Sequence, residues 1–100
     1  MKHPPTMLFL RNVPMPLYEA FKAKCKRMGT SQSQAIHDLM SLWVFGVVAF
    51  TPKRFPATPK TMLIKNIPED LRESYTTKSW DNQLGLSEAM LCLMDWWVIQ

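Results

Sequence analysis

Met7-Leu8-Phe9-Leu10-Arg11-Asn12-Val13-Pro14 returns 54 positions later as Thr61-Met62-Leu63-Ile64-Lys65-Asn66-Ile67-Pro68. The same offset continues without a gap. It sets Leu17 on Leu71, Glu19 on Glu73, Phe21 on Tyr75, Lys24 on Lys78 and Ser33 on Ser87. It runs on through Ala35 on Ala89, Leu39 on Leu93, Met40 on Met94 and Trp43-Val44 on Trp97-Val98. Of 38 aligned positions 11 are identical, and many others exchange like for like. Self-similarity at one fixed offset is the mark of a duplicated structural unit.

Both copies share one layout. An apolar run rich in strand formers is closed by Asn-Val-Pro or Asn-Ile-Pro, and proline there ends a strand or opens a helix. In the first copy Leu17, Phe21, Cys25 and Met28 recur at helical spacing and mark one face. Pro16 suits the first turn of that helix and Gly29 its C-terminal exit. Ser31-Gln32-Ser33-Gln34 has the form of a capping box. A second amphipathic helix then follows through Ala35, Ile36, Leu39, Met40, Trp43 and Val47. In the second copy Glu69 and Asp70 stand in the first turn, where the helix dipole favours acids, and Leu71 and Tyr75 begin the apolar face. Gly85 takes the place of Ser31 and Glu88 that of Gln34, before a helix carrying Ala89, Met90, Leu93, Met94 and Trp97.

The expected organisation is a single domain over residues 1–100, with a first repeat at 6–50, a linker at 51–59 and a second repeat at 60–100. Pro52, Pro56 and Pro59 make the linker stiff and extended, with a reach of about 30 Å. A lone strand leaves its backbone groups unpaired, and a unit of about 40 residues is too small for its own core. Each copy therefore needs the other. The predicted fold is mainly α with a two-stranded antiparallel β-ribbon on four helices, a pseudo-dimer held in one chain. Fusion raises the effective concentration of the second half.

Composition sets the outer bounds. At 47% hydrophobic residues the 100-residue chain has material for a core and is not a disordered tail. The most apolar run, Leu42 to Phe50, is about half of the roughly 18 residues that a membrane span needs, so no membrane partner is expected. Met1-Lys2-His3-Pro4-Pro5 leads into no long apolar segment, and no signal peptide is expected. Cys25 and Cys92 lack a CxxC spacing and read as reduced thiols of a cytoplasmic protein. With only His3 and His37 to join them, neither a metal site nor a cofactor is expected. No catalytic triad, phosphate loop or paired-carboxylate pattern stands out, so the chain does not read as an enzyme. The net charge is +4, and it is uneven. Residues 1–50 carry six basic and two acidic residues, with Lys22, Lys24, Lys26 and Arg27 close together, whereas residues 51–100 carry six of each. An anionic partner or a merely solvated helix face fits that cluster.

Strand, Arg-Asn-Val-Pro, helix, Gly-x-Ser turn, helix resembles the ribbon-helix-helix superfamily of Arc-, MetJ- and CopG-type repressors. The resemblance covers about residues 6–48 and 60–99. Leu10-Arg11-Asn12-Val13-Pro14 with Gly29-Thr30-Ser31 is similar to the antitoxin-type members, and the tandem single-chain form is similar in architecture to TraY-like proteins. The resemblance implies double-stranded DNA as the partner, with the ribbon in the major groove and alternate strand residues toward the bases. Period-two alternation then turns Met7, Phe9 and Arg11 outward with Thr61, Leu63 and Lys65, and Leu8, Leu10, Met62 and Ile64 inward.

Arg11 and Lys65 can donate to guanine, and Thr61 can bond a base. Phe9 and Leu63 can meet thymine methyls. Arg11 and Lys65 can equally be solvated strand ends or phosphate contacts. The resemblance further implies phosphate contacts at the start of each second helix. These fall at Ser31, Gln32 and Ser33 in the first copy and at Gly85, Leu86 and Ser87 in the second. Ordinary capping is the plain alternative there. An apolar outward row is unusual for base reading, and a protein partner is the competing use of that face. A single ribbon covers only a few base pairs, so self-association of pseudo-dimers side by side on DNA is a further expectation. His37 reads as a surface or partly buried residue, Trp43, Trp96 and Trp97 as core or rim, and Trp80 as exposed.

Overall fold

The computed structural model describes residues 6–100, and the readings of Met1 to Pro5 and of His3 lie outside them. The elements run β1 (Thr6–Leu10), α1 (Met15–Met28), α2 (Gln32–Val44), β2 (Met62–Ile67), α3 (Glu69–Asp81) and α4 (Leu86–Ile99). The fold is thus mainly helical, with a two-stranded antiparallel sheet. Among the described residues no helix is long and apolar enough to cross a membrane.

β1 and β2 pair directly. Phe9 faces Leu63, Leu8 faces Ile64 and Leu10 faces Met62. Under the 54-residue offset Phe9 and Leu63 are counterparts, and the Leu8 pair exchanges with the Leu10 pair. The register then shifts, because Thr6 faces Ile67, so Lys65 and Asn66 stand opposite Met7 alone. Asn66 has φ 59° and its counterpart Asn12 has φ 56°. Asparagine enters this left-handed region more readily than most residues. At both places the turn brings a buried residue, Val13 or Ile67, back to the core. Pro14 and Pro68 then stand as the N-cap residues of α1 and α3.

α1 packs on α4 and α2 on α3, while α4 lies against β1 and α2 against β2. The contacts between the halves are reciprocal. Phe21 meets Trp97 edge-on at 5.4 Å between ring centroids, and Tyr75 meets Trp43 edge-on at 5.6 Å. The Lys24 ammonium donates to the Trp97 carbonyl at 2.6 Å and lies 4.8 Å from that indole. Lys78 donates likewise to the Trp43 carbonyl, 5.3 Å from its ring. Each position matches its counterpart under the offset. A cation at a helix C-terminus satisfies carbonyls that the helix itself leaves open.

α4 is the centre of the core. Ala89, Met90, Leu91, Cys92, Leu93 and Met94 are all buried, so the helix is covered on every side for more than a turn. The linker supplies one of the covers. The Lys53 amide donates to Cys92 Sγ at 3.4 Å, and its ammonium pairs with Asp95 at 2.8 Å. Farther on, the Thr58 hydroxyl donates to the Val13 carbonyl at 2.7 Å, and the Val13 amide donates to the Lys60 carbonyl at 3.0 Å. Burial pushes both the Cys25 and the Cys92 thiol above the ordinary value, which keeps them protonated at neutral pH.

Several sequence expectations need correction. Met28 is 64% exposed, at the rim of a groove between α1, α2 and Trp97, and Lys24 takes the buried place next to Cys25. α2 ends at Val44, and Gly46 at φ 76° reverses the chain, so Val47 is exposed and Val48 is buried. The capping box is split between the halves. Ser31 Oγ accepts from the Gln34 amide at 3.0 Å, but the Gln34 side chain donates to Asp38. In the second half Gly85 has no side chain to offer, and Glu88 alone accepts from the Gly85 amide, at 3.2 Å. Gly29, at φ 69°, ends α1 as expected, and its counterpart Gln83 adopts φ 58° after α3.

Candidate nucleic-acid interface

The outward face of the two strands is built by alternation. Leu8, Leu10, Met62 and Ile64 are buried, while Met7 and Phe9 are each 50% exposed and Leu63 is 44% exposed. Phe9 and Leu63 form the central cross-strand pair of this face. Arg11 and Lys65 flank it, both exposed, each immediately before a left-handed asparagine. The Arg11 guanidinium carbon lies 6.0 Å from the Phe9 ring centroid, at the outer limit of a cation–π contact. Thr61 is exposed but stands one residue before β2 begins. The six residues therefore form an apolar centre with a cation toward each end. Such a surface can offer hydrogen bonds at its ends and methyl or ring contacts at its middle.

The helix starts differ from one another. In α2 the amide of Gln34 is occupied by Ser31 Oγ and that of Ala35 by the Ser31 carbonyl. The amides of Gln32 and Ser33 belong to the first turn and have no partner within the helix. Ser31 is exposed, while Gln32 and Ser33 are half-buried. In α4 the Gly85 amide is held by the Glu88 carboxylate, and the Leu86 carbonyl accepts from the Tyr75 hydroxyl at 2.6 Å. Ser87 Oγ accepts from the Arg11 amide and donates to the Phe9 carbonyl, both at 3.2 Å. The Ser87 hydroxyl thus ties the open edge of β1 to α4, which gives its side chain a positioning role.

Two further residues border this face without any signal in the repeat. Arg72 replaces Tyr18 at the offset, and its Nε donates to the Met7 carbonyl at 3.4 Å. His37 lies with Nε2 3.3 Å from the Lys65 carbonyl, which makes it a partly buried neighbour of β2. Trp80 is 69% exposed on α3, as the sequence suggested. Comparison with protein-family models, with curated proteins and with solved structures finds no match to this chain.

Proposed function

We propose that the chain is a tandem ribbon-helix-helix protein, a single-chain pseudo-dimer that binds double-stranded DNA sequence-specifically by laying its β-ribbon in the major groove. The observation that carries this reading is the strand register. A local two-fold axis requires counterpart residues to face each other at its centre, and Phe9 faces Leu63. The reciprocal Lys24–Trp97 and Lys78–Trp43 contacts fit the same axis. The five-residue β1 is about 17 Å long, and the major groove admits a two-stranded ribbon. At 3.4 Å per base pair that length covers about five base pairs. Arg11 reads a guanine edge bidentately and Lys65 donates at the other end. Between them Phe9 and Leu63 meet thymine methyls. On this reading the chain acts as a transcriptional regulator or a plasmid or phage accessory factor.

A second reading rests on the apolar centre of that face. Met7, Phe9 and Leu63 are largely exposed and contiguous with one another, which also suits a protein-binding ribbon that has left DNA. Fluorescence anisotropy with duplex DNA over a range of salt concentrations separates the two. The DNA reading gives a log Kd that climbs steeply with log salt, by about 0.9 for each phosphate contacted. A flat response at all concentrations refutes it and leaves the protein-binding ribbon. Selection from random duplexes then supplies the recognised sequence.

A further inference from the structure

The segment joining the two halves is anchored along α4 by the Lys53 contacts to Cys92 and Asp95. The anchor places Arg54 and Phe55 on the wall of a cleft. Arg11 and Asn12, just after β1, and Ser87, Glu88 and Leu91, from the first two turns of α4, complete its lining. Two arginines thus line one cleft at one end of the ribbon, and neither is ion-paired among the described residues. The carboxylate in the cleft, Glu88, is turned onto the Gly85 amide at 3.2 Å. It spends its charge on the helix terminus and repels any second anion there.

We infer that Arg54 is a further DNA-contacting residue, which holds a backbone phosphate beside the ribbon while the neighbouring Arg11 reads the base edge, in place of the helix start that carries the Glu88 carboxylate. The inference rests on the DNA-binding reading above. A guanidinium matches phosphate geometry and is the more weakly hydrated of the two side-chain cations, so Arg54 suits a phosphate better than a helix terminus with its own carboxylate. The opposite flank has Gln34 where this one has Glu88 and keeps the open amides of Gln32 and Ser33. The two flanks therefore grip DNA by different chemistry, and the chain sits on an asymmetric site in one orientation.

Anisotropy titrations against a labelled random-sequence duplex test this, because a phosphate contact needs no particular sequence. Arg54→Gln is expected to weaken binding about 3- to 10-fold and to lower the salt slope by about 0.9. Arg54→Lys restores most of the slope. Glu88→Gln, which copies the other flank, tightens binding. Arg54 is exposed, so thermal melting of its variants stays at the wild-type value. A wild-type protein with a steep slope and an Arg54→Gln variant with the same slope and affinity would overturn the inference and leave DNA binding standing. A wild-type protein with no salt-dependent binding would overturn both.

Discussion

Replacing Tyr75 with phenylalanine removes one buried oxygen from the core. Tyr75 is fully buried, and its hydroxyl donates to the Leu86 carbonyl at 2.6 Å. The change leaves the ring in place against Trp43, as Phe21 already lies against Trp97 in the other half, so no cavity opens. The Leu86 carbonyl belongs to the first turn of α4 and still accepts from the amide one turn on. The loss is therefore the net worth of one neutral hydrogen bond, about 1 kcal/mol, or about 4–8 °C in melting temperature for a domain of this size. The pH dependence sharpens the test. Burial, the largest effect, raises the Tyr75 phenol well above its ordinary value. In the unfolded chain the phenol ionises near pH 10, so above that pH the unfolded state releases a proton that the folded state retains. The stability from this group is complete below about pH 10 and falls by about 1.4 kcal/mol per pH unit above it. Phenylalanine has no such proton. The gap between the two proteins should thus close and reverse between about pH 10.5 and 11, while the alkaline effects common to both cancel. Urea unfolding followed by circular dichroism from pH 7 to about 11 measures it. Equal stability at pH 7, or a gap that stays constant above pH 10, would refute the account of Tyr75.

Other outcomes follow from the same contacts. Gln83→Gly should raise stability by about 1 kcal/mol, because Gln83 holds a left-handed conformation that its counterpart Gly29 adopts freely, and a thermal melt reads this directly. Lys24→Met should cost about 1–2 kcal/mol in a urea titration, since it removes a buried cation from the C-terminal carbonyls of α4. Lys78→Met should act in the same direction on α2, and an effect of opposite sign would count against the reciprocal arrangement. Arg11→Ala should lose about 1–3 kcal/mol on a selected DNA site, measured by anisotropy, and unchanged affinity would remove Arg11 from recognition.

The order of elements was legible because the repeat and the helical spacings both lie in the sequence, and so was the outward set on the strands, because strand alternation has a rigid period of two. What stayed hidden was height along a helix and contact across the chain. Periodicity gives the angle of Met28 about the α1 axis, but not whether a neighbour stands at that level, and none closes over it. Val47 continued the α2 pattern on paper, yet the left-handed turn at Gly46 came first. Asn12 and Asn66 are visible as identities, but the stop signal legible in the sequence is the proline, whereas the asparagines make the turn itself. The capture of Ser87 by β1 and the approach of Arg54 to Arg11 join residues far apart in the chain, and no local spacing encodes such meetings.

A molecule with two like halves has only one strap between them, and the strap can lie on only one of the two inner helices. It lies on α4, where Lys53 bonds Cys92 and Phe55 shares a cleft with Leu91. The matching positions on α2 are Asp38 and His37, which meet solvent and the edge of β2 instead. Leucine and cysteine beside the strap, and histidine and aspartate away from it, are what each surrounding selects. The divergence of these two pairs is therefore the imprint of the connection on the sequence, and the halves are not interchangeable parts.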